Sequence, residues 1–315
     1  MDNIAIVGVG SLGRRHLESM IELKDEYTIY AVEANHEAIS RLEEEFPDVN
    51  FSETIDGLPK RIEAVVIATN ANVRREVFED LIGHSYVSNI VFEKVLFQRE
   101  DDYMFVKNKL DELGINAWVN CARREWDSYK TFKSELDSCN EIHLSAIGGK
   151  WGMGSSAIHI LDLVEYLSNS KVDKVNVDKL DDIIEESKRK GFYEFFGTIT
   201  GCAGRCKNFS ITCINKSSLP FRIEITTEKS RYMIDEVHNY IMVSNEKSGW
   251  DWEKRDFKQV YQSQMTGRVL KSIISEHKCN LVDYDSSMNL HLKLLKALYG
   301  FFKKNGMGDA VCPIT

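Results

Sequence analysis

The chain has 315 residues, 43% of them hydrophobic and 10% aromatic, with only four prolines; that is apolar material for two ordinary cores and excludes a disordered chain. Forty Lys and Arg stand against 49 Asp and Glu, a net charge of −9 with the signs interspersed, so the basic surface that a nucleic-acid partner needs is missing. No apolar run approaches the roughly 18 residues of a membrane span, and the start MDNIAIVGVG lacks a secretory signature, which points to the cytoplasm. The seven cysteines are odd in number and scattered, unlike a disulfide framework. Cys202 and Cys206 have no second pair to complete a metal site, and no HExxH or carboxylate cluster calls for one, so no metal is expected.

The apolar run at 3–8 reads as a buried strand, and the periodic stretch LGRRHLESMIEL after it as a helix. Strands follow at 28–32, 62–68, 87–92 and 116–121, with helices between them at 36–46, 72–82 and 100–113. The segment IEAVVIA is continuously apolar, as a strand covered by helices on both faces must be. This βαβ alternation predicts an open parallel sheet. Beyond residue 121 the texture changes: a helix over 124–137, the strand EIHLSAIG, a glycine-rich turn over 148–154 and an amphipathic helix through SSAIHILDLVEYL. DDIIEESKRK at 181–190 reads as a short helix-like segment. Several strands joined by short turns over 192–243 form an antiparallel meander, and helical patterns over 257–276 and 286–303 close the chain. The expected fold is α/β: a dinucleotide-binding Rossmann domain over 1–120, then an α+β domain over 121–315 with a largely antiparallel open sheet, serving substrate binding and oligomerisation.

Gly8-Val9-Gly10-Ser11-Leu12-Gly13 is a GxGxxG run that ends a strand and opens a helix, the context in which such a run binds a dinucleotide. Gly8 allows the tight turn, Gly10 lets the amides around Ser11 and Leu12 approach a pyrophosphate at the helix terminus, and Gly13 permits close packing on the sheet. Twenty residues on, Glu33 ends the second strand, where a carboxylate accepts both hydroxyls of an adenosine ribose and repels a 2′-phosphate. NAD is therefore preferred, with Arg14 and Arg15 keeping NADP open as an alternative. Thr69, Asn70 and Asn72 stand at the exit of the third long strand, within reach of cofactor ribose groups or as caps of the next helix. Glu93 and Lys94 leave the following strand into the same crevice.

With GVGSLGRRH, IATNANVR, FEKVL and GMGSSAIHILD in order along the chain, the sequence resembles the glucose-fructose oxidoreductase and inositol dehydrogenase superfamily (Gfo/Idh/MocA-like oxidoreductases). These are NAD(P)-dependent enzymes acting mainly on sugars, cyclitols and sugar nucleotides. The resemblance implies that Lys94 lies beside the nicotinamide and the reacting alcohol. It also implies a proline after the Glu-Lys pair; here Val95 stands instead, which is expected to loosen the loop or remove a cis bond. In the second domain the family's histidine matches His159 and its last aspartate Asp162, while Ser155 occupies the first aspartate position and Ala157 that of a glycine. Association through the second domain's sheet, as a homodimer or homotetramer, is likewise implied.

The expected chemistry is reversible interconversion of an alcohol and a carbonyl on a sugar derivative or sugar nucleotide. His159 is the preferred base, since imidazole titrates near neutrality, with Lys94 polarising the developing alkoxide, Ser155 positioning the hydroxyl and Asp162 orienting His159. Arg123 and Arg124 are candidates for an anionic substituent, and Lys150 and Trp151 for a charge and a stacking wall over a sugar. Serine at 155 cannot carry an aspartate's charge, and that motivates the alternative of a catalytically silent dinucleotide-binding or regulatory protein.

Overall fold

A computed structural model describes residues 1–308 and 311–315. In chain order the first elements are β1 (Asp2–Val7), α1 (Ser11–Met20), β2 (Tyr27–Val32), α2 (His36–Glu45), β3 (Val49–Ser52), β4 (Arg61–Ile67), α3 (Arg74–His84), β5 (Tyr86–Phe92), α4 (Glu100–Leu113) and β6 (Asn116–Val119). Then follow α5 (Asp127–Leu136), β7 (Ile142–Gly149), α6 (Met153–Ser168), β8 (Lys174–Glu186), β9 (Tyr193–Ala203), β10 (Cys206–Ile214), β11 (Arg222–Thr227), β12 (Ser230–Asp235), β13 (Tyr240–Asn245) and β14 (Glu253–Asp256). The last are α7 (Thr266–Glu276), β15 (Val282–Asp283) and α8 (Tyr284–Lys304). Among the described residues, no helix is long and apolar enough to cross a membrane.

Two compact units form. The first comprises Met1–Asn120 with Val260–Ser287, the second Cys121–Gln259 with Met288–Thr315. In the first unit a seven-stranded sheet runs β15-β6-β5-β4-β1-β2-β3, parallel except where β15 pairs antiparallel with β6 at the edge. Ile4, Ile6, Val65, Val66 and Ile90 are wholly buried along its centre, which is why these strands read as unbroken apolar runs. Chain order reverses at β1, flanked by β2 on one side and β4 on the other, so the carboxyl ends of β1 and β4 frame the switch point where such sheets bind ligands. The fold is α/β, a parallel Rossmann sheet followed by a mostly antiparallel one.

The second unit carries an eight-stranded sheet in the order β14-β13-β12-β11-β7-β10-β9-β8. All its neighbours are antiparallel except β7 and β10. The segment 181–190, expected as helix-like, corrects to strand up to Glu186, because β8 is a sheet edge whose exposed, charged side chains show no alternation. The helical pattern expected over 257–276 begins only at Thr266. Residues 260–287, expected with the second domain, cluster with the first unit. They are tied there by Thr266 to His16 (2.9 Å), Gly267 N to Ser19 Oγ (2.9 Å) and the β15 pairing. Sequence periodicity gives a helix its apolar face but not the surface on which that face docks.

Candidate functional site

The glycine run sits where β1 turns into α1. Gly8 adopts φ +91°, and a Cβ built on Gly13 would stand 1.9 Å from the Gly8 carbonyl oxygen, so the helix packs on the turn at a distance no side chain permits. A Cβ on Gly10 would meet nothing within 4 Å, so the space beside the α1 terminus is open. Gly10 is the N-cap and offers no side chain, which leaves the first-turn amides of α1 without an internal partner and suited to an anion. Around this turn lies a cleft of about 1030 Å³, lined among others by Gly8, Gly10, Glu33, Thr69 and Asn70. Thr69 Oγ1 is buried there without a hydrogen-bond partner. An open cradle at Gly10, an orphaned hydroxyl at Thr69 and an acceptor pair at Glu33 fit a dinucleotide.

Glu33 is fixed by its own turn: Val9 N donates to Oε2 at 2.9 Å and Asn35 N to Oε1 at 3.0 Å. Each oxygen keeps acceptor capacity for a ribose hydroxyl. Glu53, Asp56, Glu79 and Asp80 also line the cleft, against Lys60 as its basic residue apart from His84. Arg14 is forked onto Glu45, with Nε at 3.1 Å from both carboxylate oxygens, and Arg15 is paired with Glu18 at 2.9 Å. Asn70 borders the cleft, whereas Asn72 does not line it. Neither side chain caps α3, whose N-cap is Val73.

Behind the cleft lies a buried network that reading the sequence residue by residue missed. His16 Nε2 meets Glu93 Oε1 at 2.9 Å and its Nδ1 meets Thr266 Oγ1 at 2.9 Å. Asn120 Nδ2 donates to Glu93 at 2.5 Å and to Gln262 at 2.8 Å. Burial works to raise the Glu93 carboxyl, but the His16 bond and charge, the Lys94 charge and the Asn120 bond outweigh it and hold the group below the usual carboxylate range. Arg74, 1% exposed, donates to the carbonyls of Thr69, Val95 and Leu96 and so joins the exits of β4 and β5. The Lys94–Val95 peptide is cis, which corrects the expectation that valine in place of proline removes the cis bond. Val95 is fully buried and its carbonyl is held by Arg74. His16 and Arg74 stand inside motifs visible in the sequence, whereas Gln262 and Thr266 lie more than 240 residues from His16 and carry no local signal.

In the second unit, α6 follows Gly152, which has a left-handed backbone. Ala157, Ile158, Ile160 and Leu161 are buried, while Ser155, Ser156 and His159 form a half-exposed polar stripe. Ser155 Oγ donates to the Gly152 carbonyl at 3.0 Å. Asp162, 1% exposed, receives three bonds from Arg124 at 2.8–3.0 Å. Burial pushes its carboxyl up, with Arg124 pulling the other way. Arg123 is forked onto Glu236 at 2.6 Å, and Tyr129 donates to the same carboxylate. Both arginines proposed for an anionic substituent thus already face a buried carboxylate. Lys150 Nζ pairs with Glu185 at 3.0 Å, and Trp151 donates to the Thr212 carbonyl while its ring packs at a tilt against Phe221.

Residues 3–120 match the family described as oxidoreductase family, NAD-binding Rossmann fold (GFO_IDH_MocA). No curated protein matches the chain significantly. Among solved structures, the chain is similar to UDP-N-acetylglucosamine 3-dehydrogenase GnnA from Acidithiobacillus ferrooxidans, at 14% identity and TM-score 0.74 over 94% of this chain and 96% of that one. A super-repressor mutant of Gal80p from Saccharomyces cerevisiae matches at 15% identity and TM-score 0.74, over 98% and 96%. The scyllo-inositol dehydrogenase from Lactobacillus casei, solved with NAD(H) and scyllo-inositol, matches at 17% and 0.69, over 97% and 98%. At these identities the likeness is one of fold. Residues 3–120, whose glycine turn and switch-point cleft fit a nicotinamide dinucleotide, are thus similar to the Gfo/Idh/MocA oxidoreductase family in its NAD-binding Rossmann fold.

Proposed function

We propose that the protein is an NAD-dependent dehydrogenase or reductase that interconverts a secondary alcohol and a carbonyl on a sugar derivative or sugar nucleotide. The observation that carries the cofactor half is the cleft itself: an open approach at Gly10, Glu33 held as an acceptor by Val9 and Asn35, and a rim of carboxylates. The substrate class rests on the family and on relatives of the same fold that act on a UDP-sugar and on an inositol.

Gly8, Gly10, Ser11, Leu12 and Gly13 would hold the pyrophosphate, Glu33 the adenosine ribose, and Thr69 and Asn70 the sugar groups at the β4 exit. Lys94 completes the proposed set; Asn72 lies outside the cleft lining, and Glu93, buried with His16 and Asn120, supports the strand end that carries Lys94. When bound, a nicotinamide dinucleotide supplies hydride transfer. The chain's own work is to move a proton and stabilise charge. His159 accepts the hydroxyl proton on oxidation and returns it on reduction, Lys94 stabilises the developing alkoxide by its charge, and Ser155 orients the hydroxyl. Asp162, bound to Arg124, acts on the frame of α6. Arg123, Arg124, Lys150 and Trp151, expected to contact substrate, are assigned to the unit's own ion pairs and packing.

A screen of sugar nucleotides and polyols, followed by NADH absorbance and product mass, tests the reading. A loss of two hydrogens matched by NADH supports it, and Lys94→Ala and His159→Ala should each slow hydride transfer by roughly 10²- to 10⁴-fold. Unchanged single-turnover rates in both variants would reject the assignment. The second reading, a silent binding protein, is favoured by the uncharged Ser155 and by the fold shared with Gal80p; it requires saturable NAD binding without turnover across the panel.

A further inference from the structure

The first turn of α6 is occupied by a carboxylate from another strand. Glu194, at the start of β9, accepts the Gly154 amide at 2.6 Å. The approach is close enough that a Cβ on Gly154 would stand 3.0 Å from Glu194 Oε2 and 2.6 Å from the Tyr193 carbonyl. The point where a Cβ of Gly152 would stand lies 3.0 Å from Ser155 Oγ and 3.5 Å from Glu194 Oε1, so the hydroxyl and the carboxylate share one small space. Ser155 and His159 are one turn apart on the half-exposed face of the same helix.

Resting on the dehydrogenase reading, we propose that Glu194 is the positioning carboxylate of the proton-transfer helix: reaching over from β9, it places beside Ser155 the negative charge that favours proton acceptance by His159. A helix amino terminus is equivalent to roughly half a positive charge, an effect that fades within the first turn, and His159 is the seventh residue of α6. The Glu194 carboxylate sits on that end, at the Gly154 amide, and supplies the negative charge that favours a protonated His159. The residue types fit the arrangement, since a side chain at 154 would displace the carboxylate and an aspartate at 155 would set a second negative charge beside it. Three other titratable groups on the elements packed here are paired or neutral. Glu185, opposite Glu194 across the β8–β9 pair, is matched by Lys150. Burial pushes the Cys213 thiol up, so it stays neutral. Asp162, one turn beyond His159, is held by Arg124.

The test is the titration of His159 itself, followed by NMR on full-length protein labelled at histidine, with His159→Gln identifying the signal. Glu194→Gln keeps an acceptor for the Gly154 amide but removes the charge; it should move the His159 midpoint down by about one pH unit, and the acid limb of kcat/KM with it. Adding Ser155→Asp to Glu194→Gln should restore both. A His159 midpoint within about 0.2 units of wild type in folded Glu194→Gln overturns the proposal, on the scale of shifts nearby charges produce. Should Glu194→Gln fail to fold, Ser155→Asp alone decides: a second carboxylate must raise the midpoint, and no change overturns the proposal. Because the titration needs no substrate, a protein that never turns over but shows these shifts would sink only the dehydrogenase reading.

Discussion

His16 Nε2 lies 2.9 Å from Glu93 Oε1, and both side chains are almost wholly buried. The bond joins the helix opened by the glycine run to the strand end that carries Lys94, so the dinucleotide turn and the candidate lysine are held by one network. Replacing His16 by Ala leaves Glu93 buried with its main partner gone, which typically costs about 3–5 kcal/mol. The Glu93 carboxyl sits below its ordinary value in the folded chain. Its contribution is therefore present above the unfolded value near 4.3 and is lost as pH falls through the folded one. Urea unfolding at pH 7 and pH 4 checks this. The gap between wild type and Glu93→Gln should be large at pH 7 and shrink at the lower pH; a pH-independent gap would contradict it.

Two glycines in one motif should fail differently. Gly13→Ala forces a methyl against the Gly8 carbonyl, 1.9 Å away, and should lower stability by about 1–3 kcal/mol as the turn is pushed off the helix. Gly10→Ala meets nothing within 4 Å, and its φ of −65° suits any residue. That variant should melt close to the wild-type temperature, the N-cap preference for glycine over alanine offsetting the smaller unfolded-state entropy, yet bind NAD about tenfold more weakly or worse, because the methyl stands where the pyrophosphate approaches. Melting curves and calorimetric titration of the two variants separate the effects.

Most of the first unit was legible because its signals are local. Continuous apolar strands, a glycine run at a strand–helix junction and an acid at the end of β2 each sit within a few residues of their partners. What sequence left hidden is long-range. Nothing near Thr266 or Gln262 announces a bond to His16, and the end of β8 from residue 181 reads as helix-like because an exposed charged edge carries no period-two pattern. Arg123 and Arg124 show the same limit: adjacent guanidiniums look available for an anion until Glu236 and Asp162 arrive from elements 113 and 38 residues away.

Asp162 was expected to orient His159, yet it accepts three bonds from Arg124. Its carboxyl is raised by burial, so protonation favours the folded state, and this group's contribution falls as pH rises from its unfolded value near 3.9 through the folded one. Asp162→Asn strands the Arg124 guanidinium and should cost about 3 kcal/mol or more, with turnover per folded molecule nearly kept. Denaturation beside active-site titration reads both. Normal stability with lost turnover would return Asp162 to the chemistry.

On the proposed reading, Glu33 decides the choice of cofactor. Its carboxylate faces the cleft with Glu53 and Asp56, while the guanidiniums of Arg14 and Arg15, which could answer a 2′-phosphate, are paired with Glu45 and Glu18. A phosphate placed against Glu33 meets like charge, which costs several kcal/mol in a desolvated site, so NAD should bind at least about a hundredfold more tightly than NADP, given about 1.4 kcal/mol per tenfold. Glu33→Ser removes the repulsion and the ribose acceptor pair together; it should weaken NAD, strengthen NADP and bring the ratio toward one. Raised salt should narrow the wild-type ratio by screening the charges at the rim. Calorimetric titration of both dinucleotides, in both proteins and at two salt concentrations, gives the answer, and tighter NADP binding by the wild-type chain would reverse the role assigned to Glu33.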